Sequence, residues 1–114
     1  MSADNDCIHF FVSGDLMSMF YVYILYSEVD DKYYVGHSND PERRLLEHNF
    51  LGKNKFTSKH RPWRKVACFP VGDSRGVAMK IEKHIKKQKS RTYIQNLIKS
   101  QNIDKLIERF CSVG

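Results

Sequence analysis

Phe20-Tyr21-Val22-Tyr23-Ile24-Leu25-Tyr26 is followed, across Asp30-Asp31, by Lys32-Tyr33-Tyr34-Val35-Gly36-His37, and these two stretches decide the fold. Both are rich in aromatic and β-branched residues, which suit a pleated and at least half-buried surface, so both read as strands. The acidic pair breaks the first run and leaves room for a turn, which makes the two a β-hairpin. Side chains alternate along a strand with a period of two. For a connecting loop with an even number of residues, Tyr21, Tyr23 and Leu25 therefore fall on the same face as Tyr34, Gly36 and Ser38. Gly36, lacking a Cβ, permits close approach to the backbone on that face.

Downstream of the hairpin, Asp40-Pro41-Glu42 is a helix start, with Asp40 as N-cap and Pro41 at the first helical position, and Gly52 is the stop. The helix over 41–51 carries an apolar stripe of Leu45, Leu46 and Phe50. Arg44 and His48, four residues apart, project from one side of it. Residues 52–63 read as a basic loop with Lys53, Lys55, Lys59 and Arg61, ending in Arg61-Pro62-Trp63. Val66 to Val71 reads as a third strand at a sheet edge. A second helix starts near Asp73 or Ser74 and buries Val77, Ala78, Ile81 and Ile85, with Lys80, Lys83, Lys87 and Lys89 turned mostly away. Glu82 is the only acidic residue between Ser74 and Asn102, and it lies beside that stripe, where lysine neighbours keep a carboxylate ionised. Ile94, Leu97, Ile98, Leu106, Ile107 and Phe110 form one broken helix or two short ones that close the core. The order strand, strand, helix, strand, helix, helix predicts a small α+β domain: a three-stranded antiparallel sheet flanked by helices.

At 114 residues the chain has room for one core. Residues 1–18 are acidic and lack periodicity, and are expected to lie outside that core as an extension; residues 101–114 are a C-terminal helical segment and tail. No apolar stretch approaches the roughly 18 residues needed to span a bilayer, and the first eighteen residues hold no Lys or Arg, so no signal peptide's basic start is present and a cytoplasmic location is expected. Cys7, Cys68 and Cys111 form no CxxC pair, and the expectation is free thiols. The histidines show no metal-ligand spacing. Charge is unevenly placed. Residues 41–100 hold 16 Lys and Arg against 4 Asp and Glu, a net +12, whereas the other 54 residues hold 3 against 9, a net −6. Such a block attracts a polyanion, although a basic face can also serve solubility alone.

Val22-Tyr23-Ile24, nine residues, then Tyr34-Val35-Gly36 resembles the paired motif of the GIY-YIG nuclease superfamily. The strings Tyr21-Val22-Tyr23-Ile24-Leu25, Glu42-Arg43-Arg44-Leu45-Leu46-Glu47-His48-Asn49 and Arg61-Pro62-Trp63 resemble its compact single-domain bacterial branch, related to the N-terminal nuclease domain of the excision-repair incision subunit. The resemblance covers about residues 19–100, which it marks as the nuclease domain. Two positions depart from the family pattern: Val22 stands where the first motif has Gly, and Ile94 stands where an Asn is often found, with Asn96 nearby.

The resemblance implies a metal-dependent DNA endonuclease, structure-specific or nicking, acting in repair or recombination; the alternative is a non-catalytic nucleic-acid-binding module that retains the fold. It implies catalytic roles for Tyr23, Tyr34, Arg44, His48 and Glu82. One divalent ion, Mg²⁺ or Mn²⁺, is held by Glu82, the scissile phosphate and waters, which suits a hard cation that keeps much of its hydration. Tyr23 or Tyr34 takes a proton from water, which requires a phenol with a pKa lowered by the cation and Arg44. Arg44 grips phosphate oxygens with its planar fork, and His48 hydrogen-bonds a tyrosine or the phosphate. Lys53, Lys55, Lys59, Arg61, Lys83 and Lys87 are the expected nucleic-acid contacts, and the partner is DNA, branched or nicked, with no membrane. His37, just after the second motif, is a weaker catalytic candidate for which a structural role is favoured.

Overall fold

The computed structural model describes residues 19–50 and 55–111, so the 1–18 extension, Lys53 and the last residues of the 101–114 tail lie outside the described residues. The elements run β1 (Phe20–Ser27), β2 (Lys32–Ser38), α1 (Pro41–Phe50), α2 (Lys55–Lys59), β3 (Trp63–Gly72), α3 (Arg75–Lys87), α4 (Arg91–Ser100) and α5 (Asp104–Cys111). β1 is central and antiparallel to both neighbours, in the order β2-β1-β3. This is the small α+β architecture expected. Two details differ from the sequence reading. The basic loop contains the short helix α2, and β3 begins at Trp63 rather than Val66. A five-residue helix is too short to display an apolar period, and Trp63 enters the sheet because it pairs with Ser27 and buries its indole.

The hairpin register pairs Tyr21 with Ser38, Tyr23 with Gly36 and Leu25 with Tyr34, as the two-residue period and a four-residue loop require. Asp31 in that loop takes a left-handed backbone. Its carboxylate accepts from the Tyr26 hydroxyl at 2.6 Å, and its carbonyl from Arg91 Nη1 at 2.9 Å, which ties the hairpin to α4.

The unbroken apolar run of β1 has its explanation in burial on both faces. Val22 and Ile24 join Val35, Ala67, Phe69 and Val71 against Ala78, Ile81 and Ile85 of α3, with Ile103 and partly buried side chains of α4 and α5 completing that layer. Tyr23 and Leu25 point the other way, into a smaller cluster with Trp63, Tyr34, Leu45 and Cys68 beneath α1. Ser74 caps α3 by accepting from Val77 N at 3.2 Å, and Ser90 caps α4 by accepting from Tyr93 N at 3.0 Å, each satisfying one orphan amide. Cys111 is free and exposed, as expected, whereas Cys68 is disulfide-bonded, against that expectation.

Candidate active site

The smaller of the two layers holds the polar chemistry. Tyr23 is 1% exposed, and its ring occupies the space above Gly36: a Cβ built on Gly36 would stand 2.5 Å from the Tyr23 hydroxyl and 2.6 Å from Cζ. The missing side chain at 36 is therefore the floor on which the tyrosine rests.

α1 brings two more groups to that hydroxyl. His48 Nε2 hydrogen-bonds the Tyr23 hydroxyl at 3.1 Å, and Arg44, one helical turn before it, lies close enough for its charge to act on the phenol. A buried phenol proton needs an acceptor, since leaving it unpaired costs about 1–3 kcal/mol. Arg44 can only donate, so the Tyr23 proton goes to His48 Nε2. The imidazole then carries its own proton on Nδ1, 3.1 Å from the hydroxyl of Thr57 on α2, which is 1% exposed. The result is a line that starts at the partly exposed Arg44, close to Tyr23, and continues through hydrogen bonds from Tyr23 to His48 to Thr57 in the interior.

Burial dominates the electrostatics of this line. Desolvation pushes the Tyr23 phenol up to about 12, although the nearby Arg44 guanidinium pulls the other way. The mechanism calls for a phenol lowered by the cation and Arg44 together; at Tyr23 Arg44 alone does not achieve it, because the ring is buried among Leu25, Trp63 and Leu45. Desolvation, aided by the Arg44 charge, holds His48 down at about 4, so it is neutral at pH 7. That shift has a consequence for stability. Between about 4 and 6.5 the unfolded chain binds a proton at this histidine that the native state refuses. Stability is therefore full above pH 6.5 and drains away as the pH falls toward 4, by on the order of 2–3 kcal/mol. Urea unfolding at pH 7 and pH 4.5 checks it, and His48→Gln is expected to flatten the difference.

Tyr34 stands on the same face as Tyr23, with its ring edge-on to His48 at 4.9 Å and to Trp63 at 6.2 Å. Lys86 of α3 places its ammonium 5.1 Å from the Tyr34 ring centre. The same Lys86 donates to Glu82 Oε2 at 2.6 Å, while His37 Nδ1 meets Glu82 Oε1 at 2.5 Å. Lys86 thus links the tyrosine side of the site to Glu82 around the β2 edge. Glu82 opens on a cleft of about 510 Å³ lined by His37, Gly76, Met79, Lys80, Lys83 and Lys86.

Five predicted residues, Tyr23, Tyr34, Arg44, His48 and Glu82, are thereby brought into one region. The expected nucleic-acid contacts divide differently. Lys59, Lys83 and Lys87 are exposed; Lys55 lies on α2. Arg61 is held inward: its Nε donates to the His48 carbonyl at 2.8 Å and its Nη2 is buried without a hydrogen-bond partner among the described residues. Asn49 clamps the same segment from α1, accepting from Trp63 N at 2.6 Å and donating to Trp63 O at 3.0 Å, and Trp63 Nε1 donates to Thr57 O at 2.8 Å. Arg61-Pro62-Trp63 is thus a brace that fixes α1 and α2 over the tyrosines. Sequence reasoning missed Thr57, Asn49 and Lys86. Only Lys86 had a readable signal, its i+4 spacing from Glu82.

No helix among the described residues is long and apolar enough to cross a membrane. No curated protein gives a significant match to the chain. Residues 19–96, well over half of the sequence and the whole of the hairpin, α1 and α3, match the family model described as the GIY-YIG catalytic domain. The paired tyrosines on one face, the arginine and histidine one turn apart on the following helix, and the acidic residue of α3 beside them lie within that span, and the chain belongs to the GIY-YIG family.

Proposed function

We propose that this nuclease-type domain is a metal-dependent DNA endonuclease that nicks or resolves branched or nicked DNA in repair or recombination. The observation that carries the reading is the gathering of Tyr23, hydrogen-bonded to His48, with Arg44 and Tyr34 beside them, and the link through Lys86 from Tyr34 to Glu82 in a basic cleft. Neutral His48 fixes the phenol of Tyr23 through its proton, and Thr57 fixes the imidazole. Arg44 is partly exposed and keeps donors beyond the one given to Glu47, which suits it to grip phosphate oxygens. Of the two tyrosines, the half-buried Tyr34 is the better proton acceptor for water. Tyr23 is already committed to His48 and burial holds its proton tightly.

GIY-YIG nucleases generally use divalent metal ions. Among the described residues no three His, Cys, Asp or Glu side chains stand together as a closed ligand group, so a cage built by protein alone is excluded there. A hydrated Mg²⁺ or Mn²⁺ needs less. Glu82 offers two oxygens with about four lone-pair sites, of which His37 and Lys86 occupy two, and the carboxylate faces an open cleft. The residues present therefore fit an ion held by Glu82, substrate phosphate and waters. When bound, such an ion neutralises charge on the phosphate and activates water.

The His37 and Lys86 contacts to Glu82 also favour a second reading, a nucleic-acid-binding module whose carboxylate is simply paired. A panel of nicked, flapped, branched and single-stranded DNAs, incubated with Mg²⁺ or Mn²⁺, separates the two. Strand cleavage that chelation abolishes is expected. Salt-sensitive binding without cleavage of any substrate would leave the binding module, and neither binding nor cleavage would remove both.

A further inference from the structure

Lys80 and Lys83 line two clefts at once. On one side is the cleft that contains His37 and Glu82. On the other a groove of about 260 Å³ runs between α3 and α5, bounded by Lys80, Lys83, His84, Lys87, Arg109 and Phe110. Lys80, Lys83 and Lys87 recur at helical spacing, so they form one stripe along α3. All three are exposed, and no salt bridge among the described residues engages them or Arg109.

Four cations around one groove repel one another unless solvent or an anion intervenes. Their field reaches the groove wall. His84, packed edge-on to Phe110 at 5.6 Å and to Tyr93 at 6.2 Å, is held below its ordinary pKa by burial first and then by Arg109 and Lys87. The neutral imidazole and the Phe110 ring form an apolar wall, over which the Arg109 guanidinium lies at 5.5 Å from the Phe110 ring centre. A cationic rim over an apolar wall, continuous with the cleft that holds Glu82, suits a chain of phosphates better than a single small anion, because the cations are strung out along a helix.

We propose that the α3–α5 groove is a second phosphate-backbone site, so that nucleic acid runs from Glu82 across Lys80 and Lys83 to Lys87 and Arg109. Arg109 lies beyond residue 96, where the family match ends, so the family pattern does not account for it. The inference rests on the nuclease reading and adds to it where the substrate goes: a duplex arm long enough to pass from the cleft to α5 is held at both places.

The test is fluorescence anisotropy of the full chain with labelled duplexes of increasing length at several salt concentrations, comparing wild type with Arg109→Gln and Arg109→Lys. Each phosphate contact contributes about 0.9 to the log–log salt slope. Arg109→Gln is therefore expected to lower the slope by about one and to lessen the affinity lost between 50 and 200 mM salt by about threefold. Its loss of affinity at low salt should grow with duplex length, and Arg109→Lys, which keeps the charge, should restore both slope and affinity. Wild-type protein that binds DNA beside an Arg109→Gln variant with the same affinity and slope would overturn the second site alone. Affinity lost without a change of slope, or not restored by lysine, would make Arg109 a packing residue against Phe110 and overturn it equally. Wild-type protein that binds no duplex of any length would overturn the nuclease reading with it.

Discussion

Glu82→Gln is expected to leave DNA binding intact, or slightly tighter, while lowering metal-dependent cleavage by about a thousandfold or more. The size follows from what the carboxylate is asked to do. Metal charge stabilisation is worth several kcal/mol in a phosphoryl transition state, and an amide of the same shape is a poor ligand for a hard cation. The structure argues that the fold survives the change. Glu82 is partly exposed, its partners Lys86 and His37 are themselves partly exposed, and such pairs contribute about 1 kcal/mol or less. An amide oxygen can still accept from Lys86. Removing a negative charge beside the path of the phosphates lessens repulsion, so affinity should not fall. Measuring cleavage and anisotropy on the same branched duplex separates the two effects. Equal cleavage by the wild type and the variant would remove Glu82 as the metal's anchor; parallel loss of binding and cleavage would make it a structural pair for His37 and Lys86.

The parts of this site that were legible in the sequence are those fixed by local period. Alternation along β1 and β2 sets Tyr23, Tyr34 and Gly36 on one face, and the register of the hairpin follows once the loop is even. The four-residue spacing of Arg44 and His48 puts both on one side of α1, where both reach Tyr23. The apolar stripe of α3 places Glu82 at its margin. What could not be read depends on contacts between distant segments. Thr57 looks like any polar residue in a basic stretch, and its meaning comes from α2 folding over His48. Arg61 reads as one more cation for phosphate, and nothing in its sequence neighbourhood announces that its Nε donates to the His48 carbonyl. The burial of Tyr23 is hidden for the same reason: charges near it are visible in the sequence, but the depth at which Trp63, Leu25 and Leu45 bury the ring is not, and at that depth desolvation outweighs Arg44.

That burial makes Gly36 the most sensitive backbone position of the site. Gly36→Ala is expected to destabilise the fold by about 1–3 kcal/mol and to lower cleavage more than any surface change of similar size. Gly36 has no left-handed backbone that would forbid alanine, so the effect must come from space alone. The added methyl would sit 2.5 Å from the Tyr23 hydroxyl and 2.6 Å from Cζ, and neither atom is the free end of a flexible chain. The ring is rigid and walled by Leu25 and Trp63, and its hydroxyl is tied to His48. Relief requires the ring to lift by on the order of 1 Å, which is enough to break a hydrogen bond of ordinary length. His48 Nε2 would then lose its donor. The acid-sensitive part of stability traced to His48 should consequently change in Gly36→Ala, a readout that a general loosening of the sheet would not move. In a Tyr23→Leu background, where the shorter side chain has no atoms at the hydroxyl and Cζ positions, the same Gly36→Ala change should cost markedly less, because the two residues are in contact and their effects do not add. Equal costs in the two backgrounds, read by urea unfolding at pH 7, would mean that Tyr23 does not rest on Gly36 and that the line from Arg44 to Thr57 is not held from below by the hairpin.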